Sequence, residues 1–386
     1  MNAPFEFATA TRIIFGAGKL PEIGPIAKGF GKHALVVTGG NSERARPLLT
    51  ALGAANLPFA MYPVAGEPTI DTVLRGLEFA RSEKCDVAIG FGGGSAIDAG
   101  KAIAALMTNP GDIFDYLEVI GRAQPLIQSP IPFIAIPTTA GAGAEVTRNA
   151  VLVSPEHRVK VSLRSPSMLA RVALVDPEIT YDLPPDLTAS TGLDALTQLI
   201  EPYVSSRANP MVDAICIAGI RRVARSLRRV FENGADKSAR EDMALAGLFG
   251  GLALANAGLG AVHGFAASIG GMFPAPHGAV CAALLPHVMQ TNLSALHKRD
   301  PRHHAVRRYD EVGGMLTGSE QESAAESIAW TEHLVEHLRI PGLRHYGIKE
   351  SDFPELIEKA LRSSSMKANP IPLEVEELRE ILKDAW

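Results

Sequence analysis

The stretch Val87-Ala88-Ile89-Gly90-Phe91-Gly92-Gly93-Gly94-Ser95-Ala96-Ile97-Asp98 reads as a buried strand, a glycine turn and the start of a helix. A short, continuous apolar run closed by glycines marks a strand covered on both faces, as in a parallel sheet. Glycines let backbone N–H groups approach an anion, and the N-terminal end of the next helix favours negative charge. A pyrophosphate suits such a turn: Gly93 and Gly94 give access, Ser95 can cap the helix or donate to a phosphate, and Asp98 lies in its first turn. A tight turn without a ligand would use the same residues. Better-known signatures fail. A Walker loop needs glycine where Ser95 stands and a hydroxyl where Ala102 stands. The pattern G-x-G-x-x-G breaks at Ile97, and the elbow G-x-S-x-G is not formed.

Similar apolar runs fall at residues 12–15, 34–38, 133–136 and 172–175, alternating with helical patterns at 69–82 and 95–106. This alternation predicts βαβ units around a parallel sheet, whose ligands bind at the carboxyl ends of the strands. Gly39-Gly40, Gly92-Gly93-Gly94 and Pro137-Thr138-Thr139 all fall at such ends. Past Leu183-Pro184-Pro185 no strand is expected, and helical patterns cover 190–205, 210–231, 239–257, 261–272, 280–292 and 319–337. The expected fold class is α/β plus all-α: an N-terminal Rossmann-like parallel-sheet domain over 1–185, then an all-helical domain over 186–386.

Composition narrows the function. The 386 residues are 46% hydrophobic and 20% charged, as in an ordinary globular protein. With 37 basic and 42 acidic side chains the net charge is −5, which speaks against nucleic acid as a partner. No uncharged apolar run reaches about 18 residues, so no membrane span is expected. The start of the chain lacks the basic and apolar regions of a secretory signal. Three scattered cysteines, Cys85, Cys216 and Cys281, form no disulfide framework and fit a reducing cytoplasm.

The helical half carries a possible metal site. Asp194, Gln198 and Glu201 stand at i, i+4 and i+7 of one helix, on a face flanked by Leu193, Leu196, Leu199 and Ile200. Downstream, His263 lies in a helical pattern and His277 follows Pro274-Ala275-Pro276. One carboxylate and two imidazoles match a catalytic zinc or ferrous ion with an open position, and Gln198 could add a carbonyl oxygen. Core packing or surface placement of these groups is the plainer alternative.

At these residues the sequence resembles the iron-containing alcohol dehydrogenases (group III), in the dehydroquinate synthase-like and glycerol dehydrogenase superfamily. The likeness runs from about residue 12 to about 385. It includes Phe15-Gly16-Ala17-Gly18, Gly92-Gly93-Gly94-Ser95 with Asp98 and Lys101, Pro137-Thr138-Thr139-Ala140-Gly141, and Asp176-Pro177. It continues through Thr191-Gly192-Leu193-Asp194-Ala195-Leu196-Thr197, Asn256-Ala257-Gly258-Leu259-Gly260 and Pro276-His277-Gly278.

The resemblance implies a site in the cleft between the two domains, and an assembly that is often a homodimer. It implies NAD(P) bound through Gly93, Gly94, Ser95 and Asp98, with Thr138, Thr139 and Lys160 on ribose or nicotinamide-side groups. It implies a divalent metal, Fe2+ or Zn2+, on Asp194, His263 and His277, which then carry catalysis on a small alcohol or carbonyl substrate. This chain departs from the pattern in three places. Gln198 stands where the family usually has histidine, although glycerol dehydrogenase relatives manage with one aspartate and two histidines. Ala267 removes a further histidine, so the proton would travel through water or the cofactor ribose. Cys281 replaces a common asparagine, as a packing residue or a substrate contact.

At the end of the second strand, Gly39 replaces the acidic residue that would bond a ribose 2′-hydroxyl, and Arg44 and Arg46 follow. This leans towards NADP. Other expectations remain open: a maleylacetate reductase, whose dianionic substrate would want Lys160 or Lys367; a dehydroquinate-synthase-like lyase; or a nucleotide-binding protein that has lost metal and activity.

Overall fold

The structure, a computed structural model, describes residues 4–319 and 323–386. Its strands are β1 (Ile13–Phe15), β2 (Ala34–Gly39), β3 (Phe59–Val64), β4 (Val87–Gly92), β5 (Phe133–Pro137), β6 (Asn149–Ser154), β7 (Val159–Arg164) and β8 (Val172–Val175). Six form a sheet in the order β1-β8-β5-β4-β2-β3, with every neighbouring pair parallel. All residues of β4, β5 and β8 are buried, as expected of strands covered on both faces.

Strand order explains where a ligand belongs. From β2 the chain steps outwards to β3, then returns to β4 on the other side of β2 and continues to β5. The switch point of this doubly wound sheet therefore lies between the carboxyl ends of β2 and β4. Gly39 ends β2 and Gly92 ends β4. A β-carbon on Gly92 would lie 3.3 Å from the Gly39 nitrogen and 2.6 Å from the Ala96 β-carbon, so the two strand ends meet only because residue 92 has no side chain. The helix Gly94–Thr108 starts there, with Gly93 as its N-cap.

Three strands lie outside the sequence expectation. β3 contains Pro63, which an edge strand tolerates because half its N–H groups face away from the ladder. β6 and β7 form a separate antiparallel hairpin. It is held to the helix Gly94–Thr108 by Lys101, whose three ammonium protons go to Ala144 O (2.8 Å), Thr147 Oγ1 (3.0 Å) and Asn149 O (2.7 Å). Asp98 adds a bond from the Val151 N–H at 3.0 Å. The Asp176 carboxylate accepts from Gly18 N, Leu20 N and Glu178 N, tying the loop after β1 to the end of β8.

No strand follows β8 among the described residues. Helices take over: Pro185–Val204, Pro210–Glu232, Lys237–Ala257, Ala261–Met272, His277–Arg299, His304–Thr317, Ala324–His337, Phe353–Arg362 and Val375–Asp384. The helix expected over 319–337 begins at Ala324, and its positions 320–322 lie outside the described residues. The chain forms two compact units. One is Thr9–Thr139 with Gly143–Thr180; the other is Tyr181–Trp386 with Ala140–Ala142 and the described residues up to Ala8. The helix Pro185–Val204 is buried from Ser190 to Val204 save Thr191, so polar residues on it are buried with it. The helix His277–Arg299 is long and apolar enough to cross a membrane, but most of it is buried in the core of its own unit.

Candidate active site

In the helical unit, four side chains converge from three helices. Asp194 comes from Pro185–Val204, His263 from Ala261–Met272, and His277 and Cys281 from His277–Arg299. Asp194 Oδ1 lies 3.4 Å from His263 Nε2 and 3.8 Å from His277 Nε2. Cys281 Sγ lies 3.8 Å from His263 Nε2 and 3.7 Å from His277 Nε2. The four donor atoms all fall within 4.8 Å of one another. Asp194, His263 and Cys281 are buried, and the His277 side chain is 30% exposed.

Glu201 sets the direction of this cluster. Its Oε2 is 2.7 Å from His263 Nδ1, and its Oε1 accepts from Val262 N at 2.7 Å. A carboxylate only accepts, so His263 Nδ1 donates and its Nε2 is the nitrogen aimed at Asp194. Asp194 Oδ1 is buried without a hydrogen bond of ordinary geometry. An unprotonated Nε2 would set its lone pair against this oxygen at 3.4 Å in a largely buried site, so a cation belongs between them, either a proton on Nε2 or a metal ion. This donor set fits a divalent metal ion, since a carboxylate and a thiolate together balance its charge.

The electrostatics agree. Burial raises the Asp194 carboxyl, but His277, His263 and Cys281 outweigh it and hold the group below the usual carboxylate range. Burial likewise pushes the Cys281 thiol up, yet the two imidazoles outweigh burial and the opposing Asp194, and lower it. For His263, burial opposes the charged form, while Cys281, Glu201 and Asp194 together hold its proton well above the usual imidazole range. A proton thus substitutes for the cation when no metal is bound.

Helix contact brings the donors together. A β-carbon on Gly278 would lie 2.4 Å from Ser190 O and 3.3 Å from Asp194 Cβ, so the two helices approach this closely only because residue 278 is glycine. Gln198, also buried, lies against the helix Lys237–Ala257: its Cβ and Oε1 are 3.1 and 3.2 Å from where a β-carbon on Gly250 would be. Its Oε1 has no hydrogen-bond partner among the described residues.

Of the metal ligands expected from the sequence, Asp194, His263 and His277 come together, while Gln198, the expected weak fourth, is not among the four clustered donors, of which the fourth is Cys281. Sequence reasoning set Cys281 apart as packing or substrate contact, although His277 and Cys281 at i and i+4 share a helix face, a spacing that announces a pair of ligands. It noted Glu201 on the Asp194 face and gave it no task.

In the α/β unit, Gly39, Gly93, Gly94 and Ser95 lie at the switch point or at the N-terminal end of the helix beside it. Thr138 N donates to Gly92 O at 2.9 Å, and Thr139 Oγ1 lies 3.4 Å from a β-carbon position on Gly93, so both threonines border the glycine turn. Asp98 is engaged by Val151 and lies 3.6 Å from Lys101; burial raises its carboxyl to about 6 against the pull of Lys101. Lys160, on β7, pairs with Glu67 at 3.0 Å. Arg44 donates to Ile179 O at 2.8 Å, and Arg46 pairs with Glu43 at 2.6 Å on the surface.

The pattern described as iron-containing alcohol dehydrogenase matches residues 10–177, and its Fe-containing alcohol dehydrogenase family C-terminal counterpart matches 188–386. The chain belongs to the iron-containing alcohol dehydrogenase family. Alcohol dehydrogenase 4 of Schizosaccharomyces pombe is 38% identical over 381 residues, covering 96% of this chain and 87% of the yeast protein. The crystal structure of a 1,3-propanediol oxidoreductase superposes with a TM-score of 0.92 at 34% identity, covering all of both chains. Sulfoacetaldehyde reductase from Bifidobacterium kashiwanohense, solved in complex with NAD+, gives a TM-score of 0.86 at 26% identity and covers 99% of each chain. NAD(H) and a metal are the cofactors of this iron-containing dehydrogenase family.

Proposed function

We propose that the protein is a metal-assisted, NAD(P)-dependent oxidoreductase that interconverts a small alcohol with its aldehyde or ketone. The observation that carries this reading is the convergence of Asp194 Oδ1, His263 Nε2 and His277 Nε2, with Glu201 behind His263. These three residues hold the metal, which supplies Lewis acidity to the substrate oxygen when bound. Glu201 keeps His263 in the tautomer that leaves Nε2 free to bind, and it fixes the ring against rotation. The surrounding core excludes bulk water from Asp194 and His263. No histidine stands at Ala267, so the hydroxyl proton leaves through water at the exposed edge of His277.

The α/β domain, 1–185, takes the dinucleotide. Gly93, Gly94 and Ser95 would donate backbone N–H groups to its pyrophosphate at the start of the helix Gly94–Thr108, with Thr138 and Thr139 placed for ribose or nicotinamide-side groups. Asp98 shapes this turn through Val151, and Lys160 contributes from the hairpin with Glu67 at its side. At Gly39 no carboxylate repels a 2′-phosphate, so NADP(H) is accepted alongside NAD(H). Three free, buried cysteines suit a reducing cytoplasm, and the family likeness supports a homodimer, which light scattering of the purified protein checks.

The test is reduction of NAD+ and of NADP+ with a panel of primary, secondary and diol substrates, on protein reloaded with Fe(II), Zn(II) or Mn(II). Turnover that disappears in His263→Ala supports the reading. No turnover with any metal, or undiminished activity in His263→Ala, overturns it.

A further inference from the structure

We propose that Cys281 is a thiolate ligand of the metal and that the site, an Asp/His/His/Cys set, prefers zinc to ferrous iron. The inference rests on the metal reading above and concerns which residue completes it. Cys281 lies one turn after His277 on the same helix, fully buried, with Sγ 3.7 and 3.8 Å from the two imidazole Nε2 atoms. A thiol has one weak proton, so hydrogen bonding alone would need Sγ to donate to one imidazole and accept from the other, whereas one shared cation satisfies both contacts at once.

Tetrahedral coordination does account for them. With metal–nitrogen and metal–oxygen bonds of about 2.0–2.1 Å and a metal–sulfur bond of about 2.3 Å, the ligand atoms sit about 3.6 Å apart for nitrogen and sulfur, and about 3.4 Å for nitrogen and oxygen. The observed separations are 3.7 and 3.8 Å for nitrogen to sulfur, and 3.4 and 3.8 Å for nitrogen to oxygen. Four of the six donor separations thus lie within a few tenths of an ångström of the tetrahedral values, and the other two are within 4.8 Å.

Gln198 is the competing fourth ligand. Its amide oxygen is a neutral donor that a soft or borderline ion binds poorly, and it packs against Gly250 on the helix Lys237–Ala257. Cys281 offers a charged, soft donor, and thiolate with imidazole selects zinc over iron among available divalent ions. With Asp194 and Cys281 both anionic the loaded site is neutral, as a buried site should be. Zinc tolerates a fifth ligand, so the four-residue set would still leave a place for a substrate oxygen.

Cobalt(II) reports a sulfur ligand directly, through a thiolate-to-cobalt charge-transfer band in the near-ultraviolet. Chelated protein reloaded with cobalt should show this band, and Cys281→Ser should lose it and bind zinc about tenfold or more weakly. Gln198→Ala should keep the band and nearly all the zinc affinity. In anaerobic competition, zinc should displace Fe(II) from the wild type but discriminate less in Cys281→Ser. Far-ultraviolet melting of the metal-free variants separates loss of the ligand from loss of the fold, since serine is close in size to cysteine. Cobalt bound without the band overturns the assignment. So does a Gln198→Ala variant weakened as much as Cys281→Ser. Wild-type protein that takes up no metal would instead sink the metal reading itself, an outcome that metal analysis tells apart from bound cobalt without a band.

Discussion

Glu201 touches no proposed substrate or metal, yet it decides what His263 can do. Its two oxygens serve Val262 N and His263 Nδ1, both at 2.7 Å. Glu201→Gln keeps the size but replaces an ionised acceptor with an amide that can present N–H to the ring. We expect metal affinity to fall about 10–100-fold, read by chelator competition, with partial recovery in Glu201→Asp only if the shorter chain still reaches the ring. The same ring sets a pH dependence. Burial disfavours the charged imidazole, but Cys281, Glu201 and Asp194 raise His263 in the metal-free protein, so metal must displace a proton. Zinc affinity should therefore weaken steadily as pH is lowered from 8 to 6, and a pH-independent constant would contradict the argument. Much at this scale was readable beforehand. Asp194 stood on a helix face with leucines around it, and the two histidines completed a ligand set that core packing could also explain. Cys281 escaped because a lone cysteine behaves as a small hydrophobe by default, and only its register with His277 distinguishes it.

Between elements, contact distance governs the site. Gly278→Ala places a methyl 2.4 Å from Ser190 O, against a helix that also carries Asp194. Alanine gains about 1 kcal/mol of helix propensity over glycine, but overpacking a core costs about 1–3 kcal/mol, so the clash wins. The melting temperature should drop by a few degrees, and zinc affinity should fall because Asp194 and His277 are pushed apart. A different balance holds where the hairpin meets the helix Gly94–Thr108. Burial raises Glu145 to about 7, and neither its own backbone N–H nor Lys101 compensates. A carboxyl raised in the folded state adds stability that is complete below its unfolded pKa and is lost as pH climbs through about 7. Glu145→Gln should accordingly raise the melting temperature at pH 8 and change it little at pH 5, with each kcal/mol worth about 2–4 °C in a unit of this size. The strands β1, β2, β4, β5 and β8 were legible as continuous apolar runs. The hairpin β6–β7 was not, because its buried residues alternate, Ala150, Leu152 and Ser154 opposite Val161 and Leu163, and alternation is a different signal from the run of a parallel strand. β3 was hidden by Pro63, which is harmless only at the edge.

For the whole molecule, the fold class was readable because the period of hydrophobicity changes once along the chain, and all four candidate metal donors lie on the helical side of that change. Three helices meet at these donors: Pro185–Val204, Ala261–Met272 and His277–Arg299. An ion bound there links segments far apart in sequence and binds the folded unit alone, since no unfolded chain holds Asp194, His263, His277 and Cys281 together. Binding that favours only the folded state stabilises it by about 2.7 kcal/mol at a hundredfold excess over the dissociation constant. At about 2–4 °C per kcal/mol, chelation should lower the melting temperature of the helical unit by about 5–10 °C, and zinc should restore it. A dinucleotide held by the glycine turn acts on the other unit, so adding NAD+ to the chelated protein should leave the zinc-dependent transition where it is and protect the sheet. Calorimetry with each ligand alone distinguishes the two, and a metal-insensitive melting profile would show that the four side chains gather without binding anything.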